Sequence, residues 1–205
     1  MIETSVISAN DDRWLAAALQ VVRMGGLVAF PTDTVYGLGG LASDADVIEA
    51  VFHAKARPEE KSIPVLVAGW PEVKGIALPS TGAERLAAAF WPGPLTIVME
   101  RDSRMPASIG PEGTVGVRAP DHSVALALLR AAGPLATSSA NVSAGPNART
   151  ADEVLGMLGG RIHLVVDGGR TPGGRPSTVV DCTGEMPRLV RAGPVTLAAV
   201  LAAWS

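Results

Sequence analysis

An α/β domain with more strands than helices is the fold this sequence predicts, on three observations. Helix-like and strand-like patterns alternate along the 205 residues, the arrangement that builds a sheet clad by helices. Apolar residues make up 47% of the chain and aromatic residues 4%, so a sizeable core must come mostly from Val, Leu, Ile and Ala. The 23 Gly and 16 Pro cluster between the apolar runs, which reads as many short elements joined by tight, shaped loops. This length suits one domain, residues 1–205.

Taken in order, Asn10, Asp11 and Asp12 offer N-caps to a helix ending near Met24, with Gly25-Gly26 as its stop. Leu27 to Phe30 is a short buried strand halted by Pro31. Asp44 or Asp46 opens a second helix whose apolar face holds Val47, Val51 and Phe52, and which Lys55 and Arg57 end. A strand at Ile63 to Val67, a helix at Thr81 to Phe90 and a strand at Leu95 to Met99 follow. Thr114 to Arg118 reads as a strand, Asp121 as the cap of a helix through Arg130, and Pro134 to Thr137 as a strand. The segment Ala140 to Arg149 reads as loop. Strands are expected at Ile162 to Val166, Thr178 to Asp181 and Leu189 to Arg191, and a helix at Val195 to Ala203.

The net charge of −3 argues against a chain that attracts nucleic acid as a whole, so an anion site must be a local concentration of Lys and Arg. The single cysteine, Cys182, cannot form an internal disulfide; it fits a reducing compartment and reads as a buried thiol. Residues 1–13 lack the apolar core of a signal peptide, and no apolar run reaches the ~18 residues of a membrane helix. A soluble cytoplasmic protein without a membrane partner is the expectation. The three histidines, His53, His122 and His163, stand apart from one another and from Cys182, so no metal-ligand spacing arises.

Six polar constellations are candidates for chemistry. Pro31-Thr32-Asp33-Thr34-Val35-Tyr36-Gly37-Leu38-Gly39 follows a strand, at the end where α/β proteins place ligands. It reads equally as a polar turn, and its glycines match no phosphate-loop spacing. Lys55-Ala56-Arg57-Pro58 with Lys61 either complements a helix C-terminus or clamps a polyphosphate. On the strand at 114–118, Thr114, Gly116 and Arg118 point to one face. An arginine there pairs with an internal carboxylate or awaits an anionic ligand. Thr137-Ser138-Ser139-Ala140-Asn141-Val142-Ser143 can serve a nucleotide or cap turns. Pro176 to Asp181 and Arg191-Ala192-Gly193-Pro194 complete the set, unremarkable alone.

In this order the pieces resemble the threonylcarbamoyl-AMP synthase (YrdC-like) family. The marks are Pro-Thr-x-Thr-x-Tyr-Gly-Leu at 31–38, Lys-x-Arg-Pro at 55–58, Trp-Pro-Gly-Pro-Leu-Thr at 91–96 and Val-x-Val-Arg-x-Pro at 115–120. Ser-Ala-Asn at 139–141, Ser-Thr-Val-Val-Asp at 177–181 and Arg-x-Gly at 191–193 complete them. The resemblance implies a twisted, open, mixed sheet curved around a deep central cavity, in a single-domain form. It implies that L-threonine, bicarbonate or CO2, and ATP with its Mg²⁺ are joined to threonylcarbamoyl-AMP, with release of pyrophosphate and without a protein-ligated metal. Partner proteins would then pass the threonylcarbamoyl group to tRNA beside the anticodon, with at most weak tRNA contact by this chain. By the same resemblance, Thr32, Arg118, Thr137 and Ser177 would surround threonine. Lys55, Lys61, Thr114, Ser139, Asn141, Asn147 and Arg191 would surround ATP, and Lys55 and Arg57 would be catalytic. The chain departs from some members at Lys61, where they carry Asn, and at Leu66, where they carry a threonine-contacting His. Two other readings stand beside this one: a double-stranded RNA-binding module, and a paralogue of the same fold acting on another substrate.

Overall fold

Side chains alternate in direction along each strand and so divide between the two faces of the sheet, and β2, β3, β4 and most of β8 and β9 are buried on both. The computed structural model describes residues 2–56, 58, 62–110 and 113–204. Its strands are β1 (Ser5–Ser8), β2 (Val28–Phe30), β3 (Gly37–Leu41), β4 (Val65–Leu66), β5 (Ala77–Leu78), β6 (Leu95–Arg101), β7 (Thr114–Arg118), β8 (Leu135–Ser139), β9 (Leu164–Asp167), β10 (Thr178–Asp181) and β11 (Arg188–Arg191). The α-helices are α1 (Trp14–Arg23), α2 (Ala45–Lys55), α3 (Thr81–Phe90), α4 (Ser123–Ala132), α5 (Ala151–Leu158) and α6 (Leu197–Trp204).

All the strands join one mixed sheet in the order β1-β9-β2-β3-β8-β4-β7-β6-β10-β11, with β5 paired to β6. The pairs β1/β9, β9/β2, β4/β7 and β6/β10 are parallel and the others antiparallel. On one face, Ala29, Val65, Ile97, Val117, Ala136 and Val180 pack against the apolar sides of α2, α3, α5 and α6. On the other, Val28, Phe30, Leu135, Leu164 and Val166 pack against α1 and α4. Those two helices cover the part of the sheet built from β1, β9, β2 and the start of β8. The same face of the remaining strands has no helix over it among the described residues, and there the cavity lies.

Local chemistry explains the boundaries. The Asp44 carboxylate accepts the N–H groups of Asp46 and Val47 at 3.0 and 3.3 Å and so starts α2, while Ala56 in the left-handed region (φ 47°) ends it. Gly82 lets the Trp204 ring lie on α3: a Cβ there would meet ring carbons at 2.5 Å. Arg85 Nε donates to the Trp204 carbonyl at 3.0 Å and fixes the same docking. No helix is long and apolar enough to cross a membrane among the described residues.

Several expected boundaries shift. Helix α1 begins after Arg13 without a side-chain cap, because Asp11 spends its carboxylate on the N–H and guanidinium of Arg13. Helix α4 begins at Ser123 after His122, not at Asp121. Gly37, Leu38 and Gly39, which end the stretch read as a polar turn, belong instead to a central strand, Gly37–Leu41, between β2 and β8. Strand β1 and helix α5 are further elements that the sequence expectation lacks.

Candidate active site

The uncovered half of the sheet, with the 32–36 and 176–177 segments beside it, encloses a cavity of about 480 Å³. Alternation builds its floor. On β7, Thr114, Gly116 and Arg118 face the cavity while Val115 and Val117 enter the core, as the period-two expectation has it. On β6 the same rule turns Thr96 and Val98 inward against buried Leu95, Ile97 and Met99. Strand β8 contributes Thr137, Ser138 and Ser139, β10 Val179, β11 Val190 and Arg191, and β4 Leu66, which pairs in register with Arg118. Gly39 lets β3 approach β8 closely, since a Cβ there would lie 2.5 Å from Thr137 Oγ1.

Arg118 is 6% exposed and its guanidinium is directed by three acceptors. Nε donates to the Gly93 carbonyl at 2.9 Å, Nη1 to Thr34 Oγ1 at 3.0 Å, and Nη2 to the Asp33 carboxylate. The two sequence alternatives for this arginine therefore both hold geometrically: it has an internal carboxylate and it faces a cavity. Burial pushes its pKa below the ordinary arginine value, and Asp33 acts in the opposite direction. Thr32 Oγ1 lies 3.0 Å from Thr34 Oγ1 and donates to the Val35 carbonyl at 2.7 Å, so the 32–35 turn is internally locked. The Tyr36 hydroxyl donates to the Gly169 carbonyl at 2.8 Å and accepts the Gly168 N–H at 3.2 Å, tying this turn to the 168–176 segment.

Across the cavity, Ser177 Oγ lies 2.8 Å from Thr96 Oγ1. Arg191 Nη2 donates to Ser177 Oγ at 3.0 Å and to its carbonyl at 2.9 Å. Lys55 is 1% exposed and stands outside the cavity wall. Its ammonium donates to the Ser139 carbonyl and, at 2.5 Å, to the Asn141 carbonyl, so it holds the end of β8 from behind. Asn141 is buried too, its amide nitrogen donating to the Val142 and Gly145 carbonyls at 2.9 and 2.8 Å.

Of the residues singled out from sequence, Thr32, Thr114, Arg118, Thr137, Ser139, Asn147, Ser177 and Arg191 share the cavity wall. Lys55 and Asn141 form its support, and Arg57 and Lys61 lie outside the described residues. Thr34, Thr96 and Asp33 are site residues without a sequence-predicted role. Alternation on 95–99 carries the signal for Thr96; nothing local marks Asp33 as the partner of an arginine 85 positions away. No three His, Cys, Asp or Glu side chains come together as metal ligands among the described residues.

Comparison with known proteins shows the family of the fold. The family described as telomere recombination, Sua5/YciO/YrdC, matches residues 20–193. A Mycobacterium leprae relative is 41% identical over 191 residues, which cover 92% of this chain and 86% of that protein. The threonylcarbamoyl-AMP synthase of Bacillus subtilis is 39% identical over 94% of this chain and 57% of its own length. The crystal structure of Pyrococcus abyssi Sua5 complexed with L-threonine superposes with a TM-score of 0.92 at 37% identity, covering 98% of this chain and 60% of that one. The chain thus spans about three fifths of the longer relatives and most of the mycobacterial one. On this evidence the chain is a member of the Sua5/YciO/YrdC family.

Proposed function

We propose that this protein is an L-threonylcarbamoyladenylate synthase. The observation that carries the reading is Arg118, held on a cavity floor with guanidinium N–H groups to spare, bonded to the Thr34 hydroxyl and sharing the cavity with the hydroxyls of Thr32, Thr96 and Ser177. A fork of N–H donors suits a carboxylate, and hydroxyls read an amino acid without adding charge. The threonine amine adds to CO2 to give a carbamate and loses a proton; the carbamate oxygen then attacks the α-phosphorus of ATP, and pyrophosphate leaves.

Arg118 would bind the threonine carboxylate, while Thr32, Thr137 and Ser177 shape the amino-acid end. Ser139, Asn147, Thr114 and Arg191 would receive the nucleotide. Lys55 would support the phosphate end by fixing the Ser139 and Asn141 backbone and lending its charge, with Arg57 and Lys61 expected nearby. Mg²⁺ would arrive with ATP and neutralise phosphate charge; the hydroxyl-rich wall has hard oxygen donors compatible with such an ion and its waters. Enclosure favours the reaction because a carbamate decays in water. The reading takes residues 1–205 as one catalytic domain working in the cytoplasm and handing its product to proteins that modify tRNA.

The test is pyrophosphate–ATP exchange with bicarbonate present and the amino acid varied. L-threonine should support exchange, and valine, which lacks the hydroxyl, should be poorer by ~10³-fold or more, because the site's polar groups would be left unpaired. Serine should fall by only ~10- to 200-fold. Equal rates with threonine and valine would count against the assignment. RNA retention without exchange would favour the RNA-binding reading, and exchange with a different acid would favour a paralogue.

A further inference from the structure

The cavity wall carries two described cations, Arg118 and Arg191, and no described carboxylate. One carboxylate nevertheless governs it from behind. Asp33 is not on the wall, yet its Oδ1 takes Nη2 of Arg118 and also accepts the Asp121 N–H at 3.2 Å. The two side chains are 7% and 12% exposed, so the pair sits largely out of water. The Asp121 N–H thus holds the carboxylate from the side opposite Arg118. Three of the five guanidinium N–H groups go to Gly93, Thr34 and Asp33, leaving two for the cavity.

Charge balance matters most where water is scarce. A bare Arg118 would attract any anion, including the phosphates of the second substrate and the pyrophosphate product. An Arg118 already neutralised offers geometry and N–H donors with little net field. A free amino acid is a zwitterion at neutral pH and brings its own compensating ammonium. A simple carboxylate or a phosphate does not.

We propose that Asp33 is a specificity-determining positioning residue: paired with Arg118 behind the wall, it balances that guanidinium, so that a free zwitterionic α-amino acid is taken up there in preference to free anions lacking an ammonium group, and the carbamate that forms only after binding draws its countercharge from the phosphate end. The proposal rests on reading Arg118 as the amino-acid carboxylate site.

Calorimetry decides it. L-threonine and (2S,3R)-2,3-dihydroxybutanoate, the same acid with a hydroxyl in place of the amine, are titrated into the wild-type protein and into Asp33→Asn, Asp33→Glu and Arg118→Ala. The wild type should prefer threonine by at least ~10-fold, a difference of about 1.4 kcal/mol. Asp33→Asn keeps a hydrogen-bond acceptor but loses the charge; the preference should shrink at least ~10-fold, and inorganic pyrophosphate should begin to displace threonine. Asp33→Glu should restore the preference. A wild-type protein that binds the hydroxy acid as well as threonine overturns the proposal without recourse to any variant. So does an Asp33→Asn protein in which both affinities fall together at a constant ratio. Failure of the underlying reading looks different: threonine binding would be absent in the wild type, or untouched in Arg118→Ala.

Discussion

Lys55 is the side chain whose role changes most between sequence and structure. A lysine in the last turn of a helix ordinarily keeps its ammonium in water and favours the helix terminus from there. Here the ammonium is buried and donates to two main-chain carbonyls at the end of β8. Lys55→Met keeps the apolar stem and removes the donor, stranding both carbonyls. We expect a loss of about 1–3 kcal/mol, or roughly 2–10 °C in melting temperature for a chain of this size. Nucleotide-dependent turnover should fall while the threonine requirement changes little. Differential scanning calorimetry and exchange kinetics measure the two effects, and an unchanged melting temperature would rule out the supporting role. Arg118 shows the opposite balance of legibility. Its direction follows from strand periodicity alone, whereas its partner Asp33 required the fold, because ion pairing between residues 85 positions apart leaves no local pattern.

Helix α2 is the element that delivers Lys55, and its start is fixed by one side chain. Asp44→Ala removes the acceptor for two N–H groups, which should cost ~1 kcal/mol, within the 0.5–2 kcal/mol range of such caps. Chemical denaturation reads this directly, and because Asp44 is remote from the cavity, substrate dependence should be preserved. Elements with strong periodicity were legible to the residue: α3 and β7 have the bounds expected from sequence. Helix α5 was not, although Thr150 caps the Glu153 N–H at 3.3 Å and Glu153 returns a carboxylate to the Arg149 N–H at 2.6 Å. That Thr-x-x-Glu signal is present in the sequence, but the following helix is eight residues long and contains Gly156, so its apolar period is faint. Strand β3 escaped for another reason. Its Gly-Leu-Gly-Gly composition opposes strand formation, and close approach to β8 overrides that preference.

The whole molecule has one tyrosine and one cysteine, and the fold buries both. Desolvation pushes Tyr36 from 10.0 to about 12 and Cys182 from 9.0 to about 12. Both values are raised in the folded state, so both groups favour folding below their ordinary values and lose that contribution as pH climbs toward 12. Stability should be level through neutrality and fall progressively above about pH 9. Tyr36→Phe should be less stable at pH 7, since the Gly168 N–H and Gly169 carbonyl lose their partner, yet decline less steeply in alkali. Denaturant midpoints across pH test the sign, and a steeper alkaline decline in Tyr36→Phe would refute it. Thiol reagents should leave native Cys182 unmodified until the chain opens. The sheet itself has a broader consequence. Four helices clad one of its faces, while among the described residues the helical layer of the other stops half way, over the cavity. A threonine and a nucleotide lodged there would act as the missing part of that layer, so folding equilibrium and substrate supply are coupled through RT ln(1 + [L]/Kd). The protein in a cell replete with both substrates would then be a sturdier object than the same chain in a starved one, with its lifetime against proteolysis tracking the amino acid and nucleotide it consumes.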